Sequence, residues 1–542
     1  MSTDPIATAF GYHQRTRHAP HAFARSLAYL DWESQPDPFR RYAGADVVLL
    51  DRSPGGPDPR YDAVCDGALP SPAPLDWESL SRLLYDALAL SAWKEAGDAR
   101  WSLRVNPSSG NLHPTEAYVV CGPVPGVGDA PGVYHYNAFL HGLERRATLP
   151  DATWRRLAAD LPEGAVIVGL TSIVWREAWK YGERAFRYCQ HDVGHAIAAL
   201  AYAAGGLGFT ARLLESVPDA AIGELLGVNG QTGPEAEVPE CLLAIYPSDL
   251  AFPLPQWRHF RVPTLPPLAW AGTPNRLSPE HHEWPILAVA EEATRKVSPA
   301  PGAPSTWAPP PSRRERLADR AALLRSLTRQ RRSAVEMDGR STLPREAFLR
   351  TLARLLPGAP PFDPLPWAPA VHLALFVHRV EGVPPGLYAL VRDPTVLPAL
   401  KAALAPRFRW EPAAEGLPFY LLDPTDVRGL ASHVSCGQAI AGDGAFAVAM
   451  LADLPGGLAE HGAWFYRRIH WEAGAIGQAL YLEAESDGVR GTGIGCFYDD
   501  ATRQALGIAA ASGWTTMYHF TVGGPIDDDR LRTLDPYGHL EG

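Results

Sequence analysis

The sequence predicts an α+β fold, a three-layer α/β/α unit occurring twice in tandem. Three observations predict it: the length of the chain, a Pro-rich break near its middle, and an internal repeat that mixes helical and strand patterns. At 542 residues the chain exceeds what one hydrophobic core usually supports. Ser298-Pro-Ala-Pro-Gly-Ala-Pro, followed by Ala308-Pro-Pro-Pro, has the composition of a stiff, extended linker. It separates a first domain, 1–275, from a second, 313–542, with the linker over 276–312.

The repeat appears when the chain is laid on itself at an offset of 280, Gly194 to Gly474. Asp192-Val193-Gly194 through Gly227-Val228 then lies over Glu472-Ala473-Gly474 through Gly507-Ile508. Gly194, Ala199, Leu200, Ala204, Gly208, Asp219, Ala221, Leu226 and Gly227 meet identical residues, and Arg187 meets Arg467. Asp219 and the Leu226-Gly227 pair lie outside the Ala-rich part, so shared composition alone does not account for the match. Val193, Ile197, Leu200 and Ala204 fall at helical spacing. A helix that is small and apolar on several faces is central, or packed closely on a second helix.

Strand candidates flank this helix in both copies. Glu116–Cys121 and His372–Val377 are rich in β-formers, and each is followed by a Pro-Gly-x-Tyr sequence, at 131–134 and 385–388. Cys241–Tyr246 and Met517–Val522 close the two copies. Fused copies of this kind are expected to pack as an internal pseudo-dimer.

Composition narrows the function. An apolar share of 46% and a charged share of 20% are ordinary for globular protein. A net charge of −11 argues against a nucleic-acid partner, while leaving room for a local basic pocket. The six cysteines include no C-x-x-C pair, so neither a zinc site nor a disulfide framework is expected, and a reducing cytoplasm is the simplest compartment. Met-Ser-Thr-Asp-Pro has no signal-peptide pattern, and the most apolar stretch, Val193–Phe209, is too short to span a bilayer. A cytoplasmic chain without a membrane partner is the expectation. No H-E-x-x-H or similar spacing points to a metal.

Four local signals could carry chemistry. Arg104-Val-Asn-Pro-Ser-Ser-Gly-Asn-Leu-His-Pro114 is a rigid turn with many donors, suited to a polar heterocycle or a phosphate, or simply a turn. Arg329-Gln-Arg-Arg-Ser333 suits a phosphate monoester through planar guanidinium donors, or is a solvated helix end. Gly491-Thr-Gly-Ile-Gly495 and Gly205-Gly-Leu-Gly208 follow helices, so they are not dinucleotide fingerprints; they let a backbone approach a flat ring or another helix. Trp179-Lys180-Tyr181-Gly-Glu-Arg184 sets a Lys beside a phenol, which could move a proton if burial or a nearby cation lowered their pKa values, or is an amphipathic helix with a surface Lys.

Together these residues resemble the nitroreductase superfamily of flavoproteins, and within it the SagB/ThcOx-type dehydrogenases that oxidise azolines in thiazole/oxazole-modified peptides. The first half carries the denser set: Tyr12-His13, Leu30-Asp31-Trp32, Pro107-Ser-Ser-Gly-Asn111, Lys180-Tyr181-Gly-Glu-Arg184, Arg187-Tyr188 and Gly194-His195. The second half adds Arg331-Arg-Ser333, Val380-Glu-Gly382, Pro385-Gly-Leu-Tyr388, Glu472-Ala-Gly474 with Gln478, and Gly493-Ile-Gly495. The resemblance implies FMN bound between two domains that both contact it. Arg331 and Ser333 would meet its phosphate. Pro107, Ser108, Ser109 and Asn111 would come across from the first domain, and Gly493, Ile494 and Gly495 would lie near the isoalloxazine ring. Lys180 and Tyr181 match a Lys-Tyr pair that the peptide-modifying branch uses for proton abstraction.

Departures from the pattern are informative. The second half has Phe362-Asp-Pro-Leu-Pro-Trp367 where Pro-Ser-Ser-Gly-Asn would repeat, and the nearest first-half counterpart of Arg331-Arg-Ser333 is His13, Arg15 and Arg17. Val335 stands where many relatives carry a basic residue. One FMN per chain is therefore expected. The function implied is an FMN-dependent dehydrogenase or oxidase acting on an azoline-type or related peptide-derived heterocycle by hydride transfer to flavin N5, with oxygen or another acceptor restoring the flavin. An NAD(P)H-dependent nitro or quinone reductase would use the same pocket. A non-catalytic scaffold or binding partner in a peptide-modifying complex is the third reading, since one pocket has lost its marks.

Overall fold

The computed structural model describes residues 4–251, 259–297, 320–509 and 512–541. The proline cluster read as a linker falls on 298–319, outside the described residues; the part before it includes a helix, Pro285–Ala293. Two antiparallel seven-stranded sheets form the scaffold. In the first, the spatial order is Asp46–Leu49, Gly142–Thr148, Gly132–Asn137, Thr115–Cys121, Val166–Ser172, Val238–Pro247, Phe209–Leu213. In the second it is Glu411–Pro412, Phe419–Asp423, Gly386–Leu390, His372–Val377, Phe446–Asp453, Trp514–Gly523, Arg490–Ile494. Six of the seven positions correspond in chain order, the exception being the outer edge strands Asp46–Leu49 and Glu411–Pro412, and the strand candidates read from the sequence occupy matching places in both.

Each sheet packs on a 22-residue helix, Ala185–Gly206 or Phe465–Ser486. These two helices begin 280 residues apart, as do Val174–Tyr181 and Leu454–His461 just before them. The whole first central helix is buried, which is why its sequence is apolar or small on every side rather than striped. The two helices cross at their shared glycine. A Cβ on Gly194 would collide with the Trp471 carbonyl, and one on Gly474 with the His191 carbonyl. His191 and Trp471 are themselves 280 apart, so the contact is reciprocal.

The same reciprocity explains the other repeated polar residues. Arg187 of the first half pairs with Asp499 of the second at 3.0 Å, and Arg467 of the second pairs with Asp219 of the first at 3.0 Å. All four are buried. Each residue contacts the copy of its partner, as in an isologous two-fold interface. One continuous apolar core, including Val193, Ile197, Leu373 and Ile476, joins the halves.

Strand Arg532–Leu534 of the second half adds to the first-half hairpin Leu90–Ala96/Ala99–Arg104. One expectation is corrected: Cys436 and Cys496 are disulfide-bonded, with Cα atoms 5.9 Å apart. Sixty residues separate them in the chain, and only the fold brings the loop after helix Arg428–Val434 beside the end of strand Arg490–Ile494. The cysteines thus give no argument for a reducing compartment. Among the described residues, no helix is long and apolar enough to cross a membrane.

Candidate functional site

The Pro-Ser-Ser-Gly turn lies between the hairpin and the central strand Thr115–Cys121. Its backbone is left-handed at Gly110 (φ 63°), Asn111 (58°) and His113 (52°), a run that stores strain of a kind found where geometry is functional. Ser108 Oγ accepts from the His113 N–H at 2.8 Å and closes the turn. A Cβ on Gly110 would stand 2.8 Å from Tyr181 Oη and 3.1 Å from Lys180 Nζ. The Ser-Ser turn and the Lys-Tyr pair, about 70 residues apart in sequence, are therefore in direct contact.

Beneath them lie two acids that the sequence reading did not single out. Ser108 Oγ donates to Glu177 Oε1 at 3.3 Å, and the Ser109 N–H lies 3.3 Å from both oxygens of Asp192. Both carboxyls are buried. Burial, and then Asp192, push Glu177 well above the carboxylate range; burial raises Asp192 to about 8 despite the donors of Ser108 and Ser109. One signal was available: the repeat places an acid two residues before the crossing glycine in both copies, Asp192 and Glu472.

Tyr181 corrects the expectation of a lowered phenol pKa. Burial, Glu177 and the neighbouring Tyr188 push it well above 10, so it stays a neutral donor. Tyr181 and Tyr188 meet with tilted rings, centroids 4.4 Å apart, and His191 stacks on Tyr518 at 4.2 Å. His195 sits between Gln478 Oε1 (3.2 Å) and Tyr518 Oη (3.4 Å). Burial lowers its pKa to about 3, keeping it neutral.

The second half supplies the other wall. Helix Leu324–Gln330 ends at Arg331, and Ser333 bridges in parallel to Gly491 on the edge of the sheet. Ser333 Oγ and Tyr481 Oη are 2.9 Å apart, and Tyr481 Oη accepts from the Gly493 N–H at 3.0 Å. Arg331 is buried over the Tyr481 ring, 4.7 Å from its centroid. Its Nη2 donates to the Arg104 carbonyl at 3.1 Å, touching the segment that leads into the Ser-Ser turn. Nε has no partner, and among the described residues no carboxylate forms an ion pair with it. The Arg332 guanidinium donates to the carbonyls of Ser91, Arg329 and Arg331, whereas Arg329 is engaged by Asp86. A buried guanidinium with an orphaned N–H and no counter-ion fits an anionic ligand such as a phosphate monoester.

The glycines at 493 and 495 are covered by phenols: a Cβ on either would collide, with Tyr518 Oη or with the Tyr188 ring. Between them, Ile494 packs into the apolar cluster on the outer side of the second sheet, with Ala447, Leu506 and Trp514. Its side chain is therefore not brought to the cleft. The cleft unites Ser108, Ser109, Lys180, Tyr181, Arg331, Ser333, Gly493 and Gly495 through the tyrosines and histidines just described. Pro107 and Asn111 flank it on the same turn, both half-buried.

Comparison with known proteins follows this geometry. No curated protein matches the chain. A candidate nitroreductase from Anabaena variabilis superposes on 96% of this chain and 99% of its own, at 22% identity and a TM-score of 0.66. A candidate nitroreductase from Ralstonia eutropha covers 42% of this chain and 99% of its own at 15% identity and a TM-score of 0.27. A chain of the Escherichia coli microcin synthetase McbBCD complex covers 45% of this chain and 94% of its own at 17% identity and a TM-score of 0.27. Residues 386–524 match the profile of the Nitroreductase family, a match in the second half although the first carries the denser motif set. Through nearly all of its length, the chain has the nitroreductase fold.

Proposed function

We propose that the chain is an FMN-dependent oxidoreductase with one flavin site, formed where the second half's Arg331 and Ser333 face the first half's Ser-Ser turn. The observation that carries this reading is Arg331, a buried cation with a free Nε donor and, among the described residues, no carboxylate in ion-pair contact, held against the carbonyl of Arg104 beside the turn. Arg331 and Ser333 hold the phosphate, and the donors of Ser108, Ser109 and Asn111 face it from across the cleft. Bound there, flavin supplies hydride exchange at N5. Lys180 takes the proton from the carbon or nitrogen next to the one that is oxidised, and Tyr181, held as a neutral phenol, donates a hydrogen bond to the substrate. The substrate class is an azoline-type or related peptide-derived heterocycle.

One observation favours a second reading, an NAD(P)H-dependent nitro or quinone reductase. A phenol whose pKa is raised by burial and by Glu177 is better suited to giving a proton than to taking one. The experiment is the visible spectrum and extracted flavin of the purified protein, followed by turnover of an azoline peptide against consumption of NAD(P)H with a nitroarene. One FMN per chain and azoline turnover are expected. A colourless protein that gains no flavin absorbance on titration with FMN would overturn both enzymatic readings and leave a binding partner in a peptide-modifying complex.

A further inference from the structure

We propose that Glu177 and Asp192 share a proton beneath the Pro-Ser-Ser-Gly turn and act as positioning residues, a buried store that receives the proton Lys180 collects. The inference rests on the reading given under Proposed function and assigns its proton path.

Geometry carries it. Glu177 precedes Lys180 by three residues on helix Val174–Tyr181, so both lie on one face. Glu177 Oε1 accepts from Ser108 Oγ and both Asp192 oxygens face the Ser109 N–H, each at 3.3 Å. Adjacent residues of one turn thus hold the two buried carboxyls side by side, and two such groups can bond to each other only if one is protonated. Among the described residues Glu177 Oε2 is buried without a hydrogen-bond partner. Among the described residues neither acid forms an ion pair with an Arg or a His. The ionisable groups that face them are Lys180 and Tyr181 on the same helix, Tyr188 and Cys189 on the central helix, and Tyr518 on strand Trp514–Gly523. Burial pushes Tyr181, Tyr188, Cys189 and Tyr518 up, so they stay neutral. Two like charges so placed do not ionise together, and the pair titrates as a unit. The raised pKa of Asp192, about 8, puts one of its protons in the exchangeable range.

The proton count balances. The Lys180 amine takes a proton from the substrate, whose bonding electron pair stays with the substrate. The resulting ammonium passes that proton to the singly protonated pair, which becomes neutral, and the amine is restored. The pair returns one proton to solvent past Gly110, the exposed tip of the turn.

The second half serves as an internal control. At the matched positions it has Gly457 in place of Glu177, and Glu472 in place of Asp192. Glu472 is ion-paired with Arg392 and accepts the N–H groups of Ala370 (3.0 Å) and Val371 (3.2 Å). No pair forms there, and residues 460 and 461 are Glu and His rather than Lys and Tyr.

The test uses the purified, flavin-loaded protein and its variants Glu177→Gln, Glu177→Asp and Asp192→Asn. Infrared titration of the unaltered protein should show a buried protonated carboxyl that ionises near pH 8, shifted in Glu177→Gln and absent from Asp192→Asn. In turnover, Glu177→Gln should keep its flavin, lose about tenfold in kcat and shift the ionisation near pH 8 in its rate profile. Glu177→Asp should restore part of both. An unaltered protein with no protonated carboxyl at neutral pH would overturn the proposal, as would a Glu177→Gln profile that superimposes on the parent. Protein that binds no flavin would instead remove the reaction, while the infrared band, which needs no substitution, decides whether the proton is shared.

Discussion

Glu177, Lys180 and Tyr181 in the first half stand where the second half has Gly457, Glu460 and His461, on helices of equal length at matched places in the fold. The two clefts occupy matched places and differ in what fills them. In the first, buried acids, a lysine and phenols meet an unpaired arginine from the other half. In the second, Phe465 occupies the space a side chain on Gly457 would need. Trp367 lies under Arg468, 4.3 Å from the ring centroid, and Asp363 is tied to Arg212 at 2.8 Å. The basic residues nearest in sequence to an Arg331 counterpart are neutralised as well: Arg15 pairs with Glu183 and Arg17 with Asp500, both at 2.6 Å. The two halves thus share one reciprocal interface while their matched clefts carry different side chains.

The largest expected effect separates the clefts by chemistry. Lys180→Ala should keep the protein yellow and lower turnover roughly 10²–10⁴-fold, the usual weight of a positioned acid–base group. Glu460→Ala, at the matched position, should leave turnover within about twofold, since its side chain is exposed. Equal losses in steady-state assays would break the comparison.

Next in size is an asymmetry in stability. Asp499 answers two buried arginines, Arg184 and Arg187, whereas Asp219 answers Arg467, which also has Glu240 at 3.5 Å. Asp499→Asn should cost about 3–5 kcal/mol, the range for stranding a buried charge, and more than Asp219→Asn by urea unfolding. Burial works to raise the Asp499 pKa, but the two arginines outweigh it and hold the carboxyl below its usual value. The stabilisation is therefore full above the unfolded pKa and is lost as pH falls through the folded one. Asp499→Asn should flatten that acid limb, and a variant that keeps the parent's limb would show the pairing to be unimportant.

The smallest expected effect concerns affinity. Arg331→Ala should weaken FMN binding by about 1.5–3 kcal/mol, the scale of charged hydrogen bonds, or roughly 10–150-fold, read by fluorescence titration. Arg212→Ala, beside the filled cleft, should leave FMN affinity unchanged. Loss of flavin from both would mean that the second cleft takes part in binding.

Much of this was legible in the chain because it was written twice. Gly194 and Gly474, Arg187 and Arg467, Asp219 and Asp499 stood out as matched positions. Their reason did not, because each contact joins one copy to the other across roughly 280 residues, and a one-dimensional alignment shows likeness, not touching. The Ser-Ser turn and Lys180-Tyr181 were legible as donor-rich or proton-moving motifs, although their mutual contact was not. Glu177 was missed because an acid one turn before a lysine reads as an ordinary helix surface pair. The disulfide escaped because spacing identifies cysteine pairs only when they form a framework, and a single bridge depends on where a loop is delivered. The condition set for Tyr181, a lowered pKa, is not met, since burial among acids and phenols is a property of the assembled cleft.

The reciprocal interface has a consequence for how such a protein can change. When two identical subunits form a symmetric pair, a single codon change alters both active centres together, so neither can drift without the other. Here the partners are encoded separately within one polypeptide. A substitution strikes one centre only, and selection can preserve that centre's chemistry while its twin is free to become ballast.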